Sequence, residues 1–364
     1  MNKKLDKLEA IRGIAALYVV IHHLFNNTTF LKGYSFSFLF IFGQEAVILF
    51  FILSGFVIEY SFSKTKDKSF NTYFFKRFNR IYIPLLLVFA ANFLIFYYQG
   101  KIGSFDFKTF IGNLFMLQDL PRVPNIIVEP FLGNTPLWSL AYEWWFYMIF
   151  FLVFYFFKDK TSKIIYAAGI IATISYIFYP FWGNRIFMYL MIWNLGADLA
   201  GIYLRTGTIS FKDLKYQAFL MLGIILLLCL NFYLNKVSVH EAIHFDANVR
   251  FGKGASPALE VRHFAFALFS ILAGVAWLKL RWIGFKYTIG VFEPLAKISY
   301  CIYISHFFLI IKASYLSFIG NRFIELCLYG IICFIFSYLV EVIIYPRLNK
   351  FIMKKKALTL PKVS

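Results

Sequence analysis

Long apolar runs, each about as long as a membrane is thick, follow one another along this 364-residue chain. A transmembrane helix needs about 20 mostly apolar residues. Candidate runs lie near residues 8–27, 39–60, 81–99, 136–157, 164–181, 186–204, 217–234, 263–280, 298–319 and 323–346. Lipid offers the backbone no hydrogen-bond partners, so such runs must be helical. The sequence therefore predicts an all-α fold, a polytopic transmembrane helix bundle of about ten spans.

The charge distribution indicates how this bundle is oriented. The formal net charge is +19, which by itself could indicate nucleic-acid binding. The basic residues, however, lie in short segments between the apolar runs, and one set of alternate connections, with both chain ends, holds 26 Lys and Arg against 10 in the other. This bias predicts that both termini are cytoplasmic and that nucleic acid is not a partner.

The overall composition agrees with this interpretation. Only 15% of the residues are charged, whereas a soluble domain averages about 25%. The chain is also rich in Phe, Lys, Asn and Tyr, which is typical of AT-rich bacterial genomes. We therefore expect an integral protein of a bacterial cytoplasmic membrane.

The first span carries ionisable residues, which are costly in lipid and often functional. Arg12 and His23 are eleven residues apart. That is almost three helical turns, so they share one face and lie about 16 Å apart along the axis. Alternatively, Arg12 anchors the span and His23 is a hydrogen-bonded core histidine. The spacing leaves both interpretations open.

Two later spans also place polar side chains where lipid is expected. In the fourth span, Ser139, Glu143 and Tyr147 follow at i, i+4 and i+8 and form a polar stripe. In the ninth span, Tyr303 and His306 share a face. Glu143 can be a catalytic carboxylate or a structural partner for a basic residue on a neighbouring helix, and His306 can be a site residue or a packing residue.

Two basic residues lie between the second and third spans. Arg77 and Arg80 are spaced i, i+3, so both can reach one phosphate cluster. The alternative is that they are ordinary positive charges on the cytoplasmic side of the membrane.

One segment fits a different class of enzyme. His240, Glu241 and His244 match the H-E-x-x-H pattern of zinc proteases, in which two histidines bind zinc and the glutamate is the base. The segment lies in a connection expected outside the membrane. Glu260 or His263 could supply a third ligand, which the sequence does not decide.

Five short motifs occur in order along the chain. They are Arg12-Gly13-Ile14-Ala15-Ala16 with His23, Phe50-Phe51-Ile52-Leu53-Ser54-Gly55-Phe56, Arg77-Phe78-Asn79-Arg80-Ile81-Tyr82, Leu137-Trp138-Ser139-Leu140 with Glu143 and Phe146-Tyr147, and Ile298-Ser299-Tyr300 through His306. Together they resemble the acyltransferase-3 family of membrane acyltransferases. One departure is Phe307, where many relatives have proline. The resemblance implies a transmembrane domain at 1–346 and a basic cytoplasmic tail at 347–364.

The resemblance implies an O-acyltransferase that moves an acyl group, most often acetyl, from cytoplasmic acyl-coenzyme A to a hydroxyl of a cell-surface or lipid-linked glycan. The co-substrate is then acetyl-coenzyme A, the partners are the glycan and membrane lipid, and no metal is expected. Arg77 and Arg80, with Arg12 deeper, would bind the donor's phosphates. His23 would be the general base on the acceptor hydroxyl, oriented by Glu143.

The same resemblance places further side chains along the expected tunnel, namely Ser54, Ser139, Tyr303 and His306. A covalent acyl-histidine intermediate stays open. Two other classes also stay open, a polytopic transporter or flippase for a glycan intermediate and a membrane zinc protease that uses His240, Glu241 and His244.

Overall fold

The computed structural model describes residues 3–25, 39–121, 123–234 and 257–359. The α-helices are α1 (Lys3–Phe25), α2 (Gly43–Lys64), α3 (Phe70–Tyr98), α4 (Phe107–Leu114), α5 (Leu137–Phe157), α6 (Thr161–Phe178), α7 (Trp182–Thr206), α8 (Lys215–Leu234), α9 (Pro257–Lys279), α10 (Glu293–Ala296), α11 (Ser299–His306), α12 (Arg322–Tyr338) and α13 (Tyr345–Thr359). Within these described ranges the chain forms no strand, so the prediction of an all-α fold is confirmed.

Eight helical segments of the described chain are long and apolar enough to cross a membrane. A ninth candidate is a pair of shorter segments, Ile289–Ala296 and Ser299–Ile311, which meet at a bend of 80°. One of the eight, Leu137–Phe178, contains both α5 and α6, which the sequence predicts as two spans. The polytopic helical architecture is confirmed, whereas the ten spans and the cytoplasmic termini stay predictions.

Helices α2 and α7 cross closely because each contributes a glycine to the contact. A Cβ atom on Gly55 would lie 1.9 Å from the Trp193 carbonyl oxygen, and one on Gly196 would lie 1.8 Å from the Ile52 carbonyl oxygen. These distances leave no room for a side chain, so the two backbones approach as in other small-residue contacts of membrane helices. The contact places Ser54, which precedes Gly55, against Trp193.

Helix α1 is held by similar close contacts at two places. A Cβ atom on Gly13 would lie 2.4 Å from the carbonyl oxygen of Phe292, just before α10. At the other end of the helix, the imidazole of His22 packs against Gly43, where a Cβ atom would lie 2.2 Å from the ring. These contacts fix the positions of Arg12 and His23, which neighbour the contact residues in sequence.

The long connection between α3 and α5 folds against the bundle. Met116, Gln118 and Asp119 in this connection are fully buried. The Gln118 amide donates to the carbonyl oxygen of Leu137 at 2.9 Å, and the Trp145 indole donates to the carbonyl oxygen of Met116 at 2.8 Å. The connection thereby brings a carboxylate, Asp119, into the interior.

The span expected at 298–319 is shorter than predicted, since its helical segment ends at Ile311. Helix α11 ends at His306, and the chain continues only as a π-helix, Phe307–Ile311, before it turns toward α12. Short π-helical segments are often found at functional sites. The fully buried His306 side chain lies at this junction.

The last span continues into a further helix near the C-terminus. Helix α12 continues through a second π-helix, Leu339–Ile344, into α13. The Asn79 amide donates to the Asn349 side-chain oxygen at 2.9 Å, which packs α13 against α3. The basic region predicted from residue 347 therefore begins as a helix attached to the bundle.

Candidate active site

A cavity of about 230 Å³ lies among α1, α2, α3, α5 and α11, and we call it the polar cavity. Seven of the nine predicted site residues line it: Arg12, Ser54, Arg77, Arg80, Ser139, Glu143 and Tyr303. The remaining two, His23 and His306, contact each other next to it. Residues from motifs far apart in sequence therefore meet in one place.

The carboxylate in the polar cavity is held by hydroxyl groups. The Ser54 hydroxyl donates to Glu143 Oε1 at 2.7 Å, and the Tyr147 hydroxyl donates to the same oxygen. The indole of Trp193 in turn donates to Ser54 Oγ at 3.3 Å. Trp193 was missed by sequence analysis, since nothing in its local sequence links α7 to this cluster. The predicted role of Glu143 in orienting His23 stays a prediction.

Arg80 is engaged in a partly buried ion pair. Its guanidinium contacts the carboxylate of Glu341 from the end of the last span. The rings of Tyr300 and Tyr345 also contact Arg80, with centroids 5.1 and 5.3 Å from the guanidinium carbon. Arg80 therefore supports the attachment of the last span to α3 in addition to lining the cavity.

Arg77 and Arg12 have different surroundings. Arg77 donates to Ser61 Oγ at 3.1 Å, and its guanidinium lies 5.9 Å from the ring of Tyr147. Among the residues that the structure describes, no carboxylate forms an ion pair with Arg77. Arg12 donates to both carboxylate oxygens of Glu9 at 3.2 Å, one turn earlier on α1. Of the three arginines, Arg77 has the charge most available to an anionic ligand.

Two imidazoles stack beside the polar cavity. The ring centroids of His23 and His306 are 5.4 Å apart, and their planes differ by 29°. His306 Nδ1 lies 2.8 Å from the carbonyl oxygen of Tyr303, so we infer that Nδ1 carries the proton and donates it. The other nitrogen, Nε2, is then an unprotonated acceptor, and it has no hydrogen-bond partner in the described part of the chain.

Tyr303 connects the polar cavity with the stacked histidines. It lines the cavity, and its ring centroid lies 6.2 Å from that of His306. Its hydroxyl donates to the carbonyl oxygen of Pro136 at 3.0 Å and is hydrogen-bonded with the Ser139 hydroxyl at 2.7 Å. The ring of Phe50 packs 5.7 Å away. Tyr303 thus contacts both His306 and the Phe50 ring of the cavity wall.

A second group of buried charges lies apart from this cavity. Arg185 lies 3.3 Å from a carboxylate oxygen of Asp119 and 3.8 Å from one of Glu260, and all three residues are almost completely buried. The Tyr142 hydroxyl donates to Asp119 at 2.6 Å. Sequence analysis missed this group because its members come from three separate segments.

The residues considered as a third zinc ligand have other partners. Glu260 lies next to Arg185, and His263 Nδ1 lies 2.6 Å from the hydroxyl of Tyr189. The motif itself falls outside the described residues: His240, Glu241 and His244. In the ranges that are described, no three His, Cys, Asp or Glu side chains are grouped so as to hold a metal ion.

Comparison with known proteins assigns the family. A family model described as an acyltransferase domain, that of the acyltransferase-3 family, matches residues 5–342. The chain belongs to this family. A curated relative, Acyltransferase MdmB of Streptomyces mycarofaciens, is 34% identical over 154 residues, which are 40% of this chain and 38% of the relative. The match thus spans well under half the length of that relative, and no solved structure matches the chain significantly.

The acyltransferase-3 match includes every helix that contributes to the polar cavity. It begins within α1 and ends within the π-helix that precedes α13. The resemblance drawn from the five motifs to the acyltransferase-3 family is thereby confirmed.

Proposed function

We propose that this acyltransferase moves an acetyl group from acetyl-coenzyme A to a hydroxyl of a cell-surface or lipid-linked glycan, in a bacterial cytoplasmic membrane. One observation carries the proposal. The polar cavity combines three arginines with the carboxylate of Glu143, and Tyr303 in its wall contacts the His23–His306 pair. An anion-binding entrance therefore adjoins a candidate base.

The donor's phosphates bind at the arginine end of the polar cavity in this proposal. Arg77 makes the main contact because it lacks a carboxylate partner among the described residues. The cavity measures about 230 Å³, which is below the roughly 300–1,000 Å³ of pockets that enclose drug-sized ligands. The thioester and the adjoining arm would occupy it, while the nucleotide stays at the mouth.

The chemical step is a direct transfer. The acceptor hydroxyl oxygen attacks the thioester carbonyl carbon, the carbon–sulfur bond breaks, and coenzyme A leaves as a thiolate. His23 takes the hydroxyl proton and returns it to the thiolate. The hydrogen bond from His306 Nδ1 to a backbone carbonyl fixes the tautomer of this imidazole, which is neutral in the proposed mechanism and has its unprotonated nitrogen at Nε2. A neutral neighbour does not oppose the transient positive charge on His23.

Glu143 has a positioning role in this mechanism. It accepts hydrogen bonds from Ser54 and Tyr147, which fixes both hydroxyls in the polar cavity. The negative charge also balances the nearby arginines before the donor arrives. Substitution of Glu143 by glutamine should keep the hydrogen-bonded shape while it removes this charge.

The test uses labelled acetyl-coenzyme A and membranes that contain equal amounts of wild-type protein, His23→Ala or His22→Gln. Label transferred to glycan by the wild type and lost in His23→Ala is the expected result. The His22→Gln variant is the matched control, because His22 neighbours His23 but its Nδ1 contacts the carbonyl oxygen of Phe40. Because the packing of His22 against Gly43 also helps to position α1, His22→Gln should lose part of the activity but retain clearly more than His23→Ala.

Two other outcomes would contradict this mechanism. Full transfer by His23→Ala would remove His23 from the mechanism. Movement of a glycan intermediate across vesicles without any acyl-coenzyme A, unaffected by His23→Ala, would favour the transporter alternative. The two assays can be run on the same vesicles, so the comparison does not depend on separate preparations.

A further inference from the structure

A second cavity of about 160 Å³ lies on the other side of α2 from the polar cavity. Ser54 faces the polar cavity, whereas Leu53 and Phe56 face this second one, which we call the apolar cavity. Helices α1, α7 and α9 form its other walls. Tyr203 and Ser270 supply its few polar groups. The proposed acyl transfer makes no use of this space.

The apolar cavity lies at the end of the bundle that contains the N-terminus of α1. Leu8 and Ile11 line it from the first half of α1, and Trp277 and Leu278 line it from the last turn of α9. This is the end at which the sequence concentrates its Lys and Arg residues. The cavity is thus in the half of the membrane that the charge bias predicts to be cytoplasmic.

Basic side chains lie at the edge of the apolar cavity. The Lys7 ammonium lies 4.8 Å from the ring centroid of Trp282, which itself lines the cavity. Lys279 follows Leu278 at the end of α9 and lies 4.5 Å from the ring of Phe211. Arg281, two residues after Lys279 in the sequence, is exposed. Hydrocarbon walls below a basic rim are complementary to a lipid chain with an anionic headgroup.

We propose that the apolar cavity is a binding site for one anionic phospholipid of that leaflet. Part of an acyl chain enters between α2 and α9, and the phosphate end lies among Lys7, Lys279 and Arg281. The volume of 160 Å³ suits a short hydrocarbon segment, since an apolar cavity of about 150 Å³ takes a benzene molecule. The proposal does not depend on acyl transfer.

Gly274 allows the cavity to be filled with little disturbance. It lines the apolar cavity, and a Cβ atom at this position would meet no heavy atom within 4 Å. Gly223 on α8 has the same open surroundings but does not line the cavity. Gly274→Leu and Gly223→Leu are therefore a test variant and its matched control.

Native mass spectrometry of the full-length protein in detergent measures the binding of added phosphatidylglycerol and of phosphatidylcholine with the same chains. Wild type and Gly223→Leu should bind phosphatidylglycerol more tightly than phosphatidylcholine. Gly274→Leu should bind phosphatidylglycerol about 15- to 60-fold more weakly than wild type does, because two or three methylenes lose their burial. Lys7→Gln should reduce the preference for phosphatidylglycerol by about fivefold. Equal phosphatidylglycerol binding by Gly274→Leu and Gly223→Leu would overturn the site.

A second measurement needs no variant. Trp277 and Trp282 line the apolar cavity, so a lipid with brominated chains that binds there quenches their fluorescence. Brominated phosphatidylglycerol diluted into phosphatidylcholine vesicles should quench more than brominated phosphatidylcholine diluted into phosphatidylglycerol vesicles. Equal quenching at equal bromine content would overturn the preference for an anionic headgroup.

Discussion

Single alanine substitutions of Arg77 and Arg80 should have different effects, although the two residues are one helical turn apart. Arg77→Ala should weaken donor binding, and Arg80→Ala should lower the stability of the protein. Arg77 has no carboxylate partner among the described residues and would contact the donor. A hydrogen bond to a charged group contributes about 1.5–3 kcal/mol. Arg77→Ala should therefore raise the KM for acetyl-coenzyme A by about 10- to 100-fold, with little change in unfolding temperature.

Arg80→Ala should act mainly on stability. The Glu341 side chain is 2% exposed and would lose the one ionic partner that it has among the described residues, whereas the Arg80 side chain is 38% exposed. Breaking a fully buried pair costs about 3–5 kcal/mol. Water reaches this arginine, so we expect a loss of about 2 kcal/mol in the free energy of unfolding. Adding Glu341→Gln should recover much of it by removing the unpaired charge.

The assay combines initial rates at varied acetyl-coenzyme A with thermal unfolding of the same detergent-purified samples. Lys76→Ala is the control, because Lys76 is an exposed neighbour on α3 that does not line the polar cavity. An unchanged KM in Arg77→Ala would refute the assignment of Arg77 to the donor. A large rise in KM for Arg80→Ala that Glu341→Gln does not reverse would refute the division of roles.

Three further predictions concern other parts of the molecule. His306→Gln should lower kcat at least tenfold with little change in donor KM, measured by steady-state transfer kinetics, because it removes a neutral imidazole beside the base. Gly55→Ala should lower the unfolding temperature, since its Cβ atom meets a backbone oxygen, whereas Gly223→Ala should raise it slightly. Arg185→Met should destabilise the protein by about 3–5 kcal/mol in denaturant titrations, because Asp119 stays buried without its cation.

Seven of the nine site residues predicted from the sequence line the polar cavity, so much of the site was predictable. The motif around Arg77 and the one around Glu143 each mark short stretches of single helices, where spacing defines a face. Their resemblance to one family implies that these faces meet, and the structure brings both residues to the same cavity. Periodicity on one helix predicts which side chains share a face, but it does not predict which other helix that face contacts.

The missed contacts join segments that are distant in sequence. Arg80 and Glu341 are 261 residues apart, so nothing near either residue reveals the pair. Asp119 lies in a connection whose prolines and charges are typical of exposed loops, yet it is fully buried. The π-helix after His306 was also missed, because its residues are as apolar as those of an uninterrupted α-helix.

The reciprocal glycine contact between α2 and α7 has a consequence for ion leakage. A cavity lined by arginines inside a bilayer is a potential leak for protons and small anions, and only tightly packed walls insulate it. The backbone contact at Gly55 and Gly196 lies directly beside Ser54, one residue from the cavity surface. Any residue larger than glycine at these positions would push the two helices apart and loosen this wall of the cavity. Two residues without side chains thus keep the wall beside the charged cavity closed to ions.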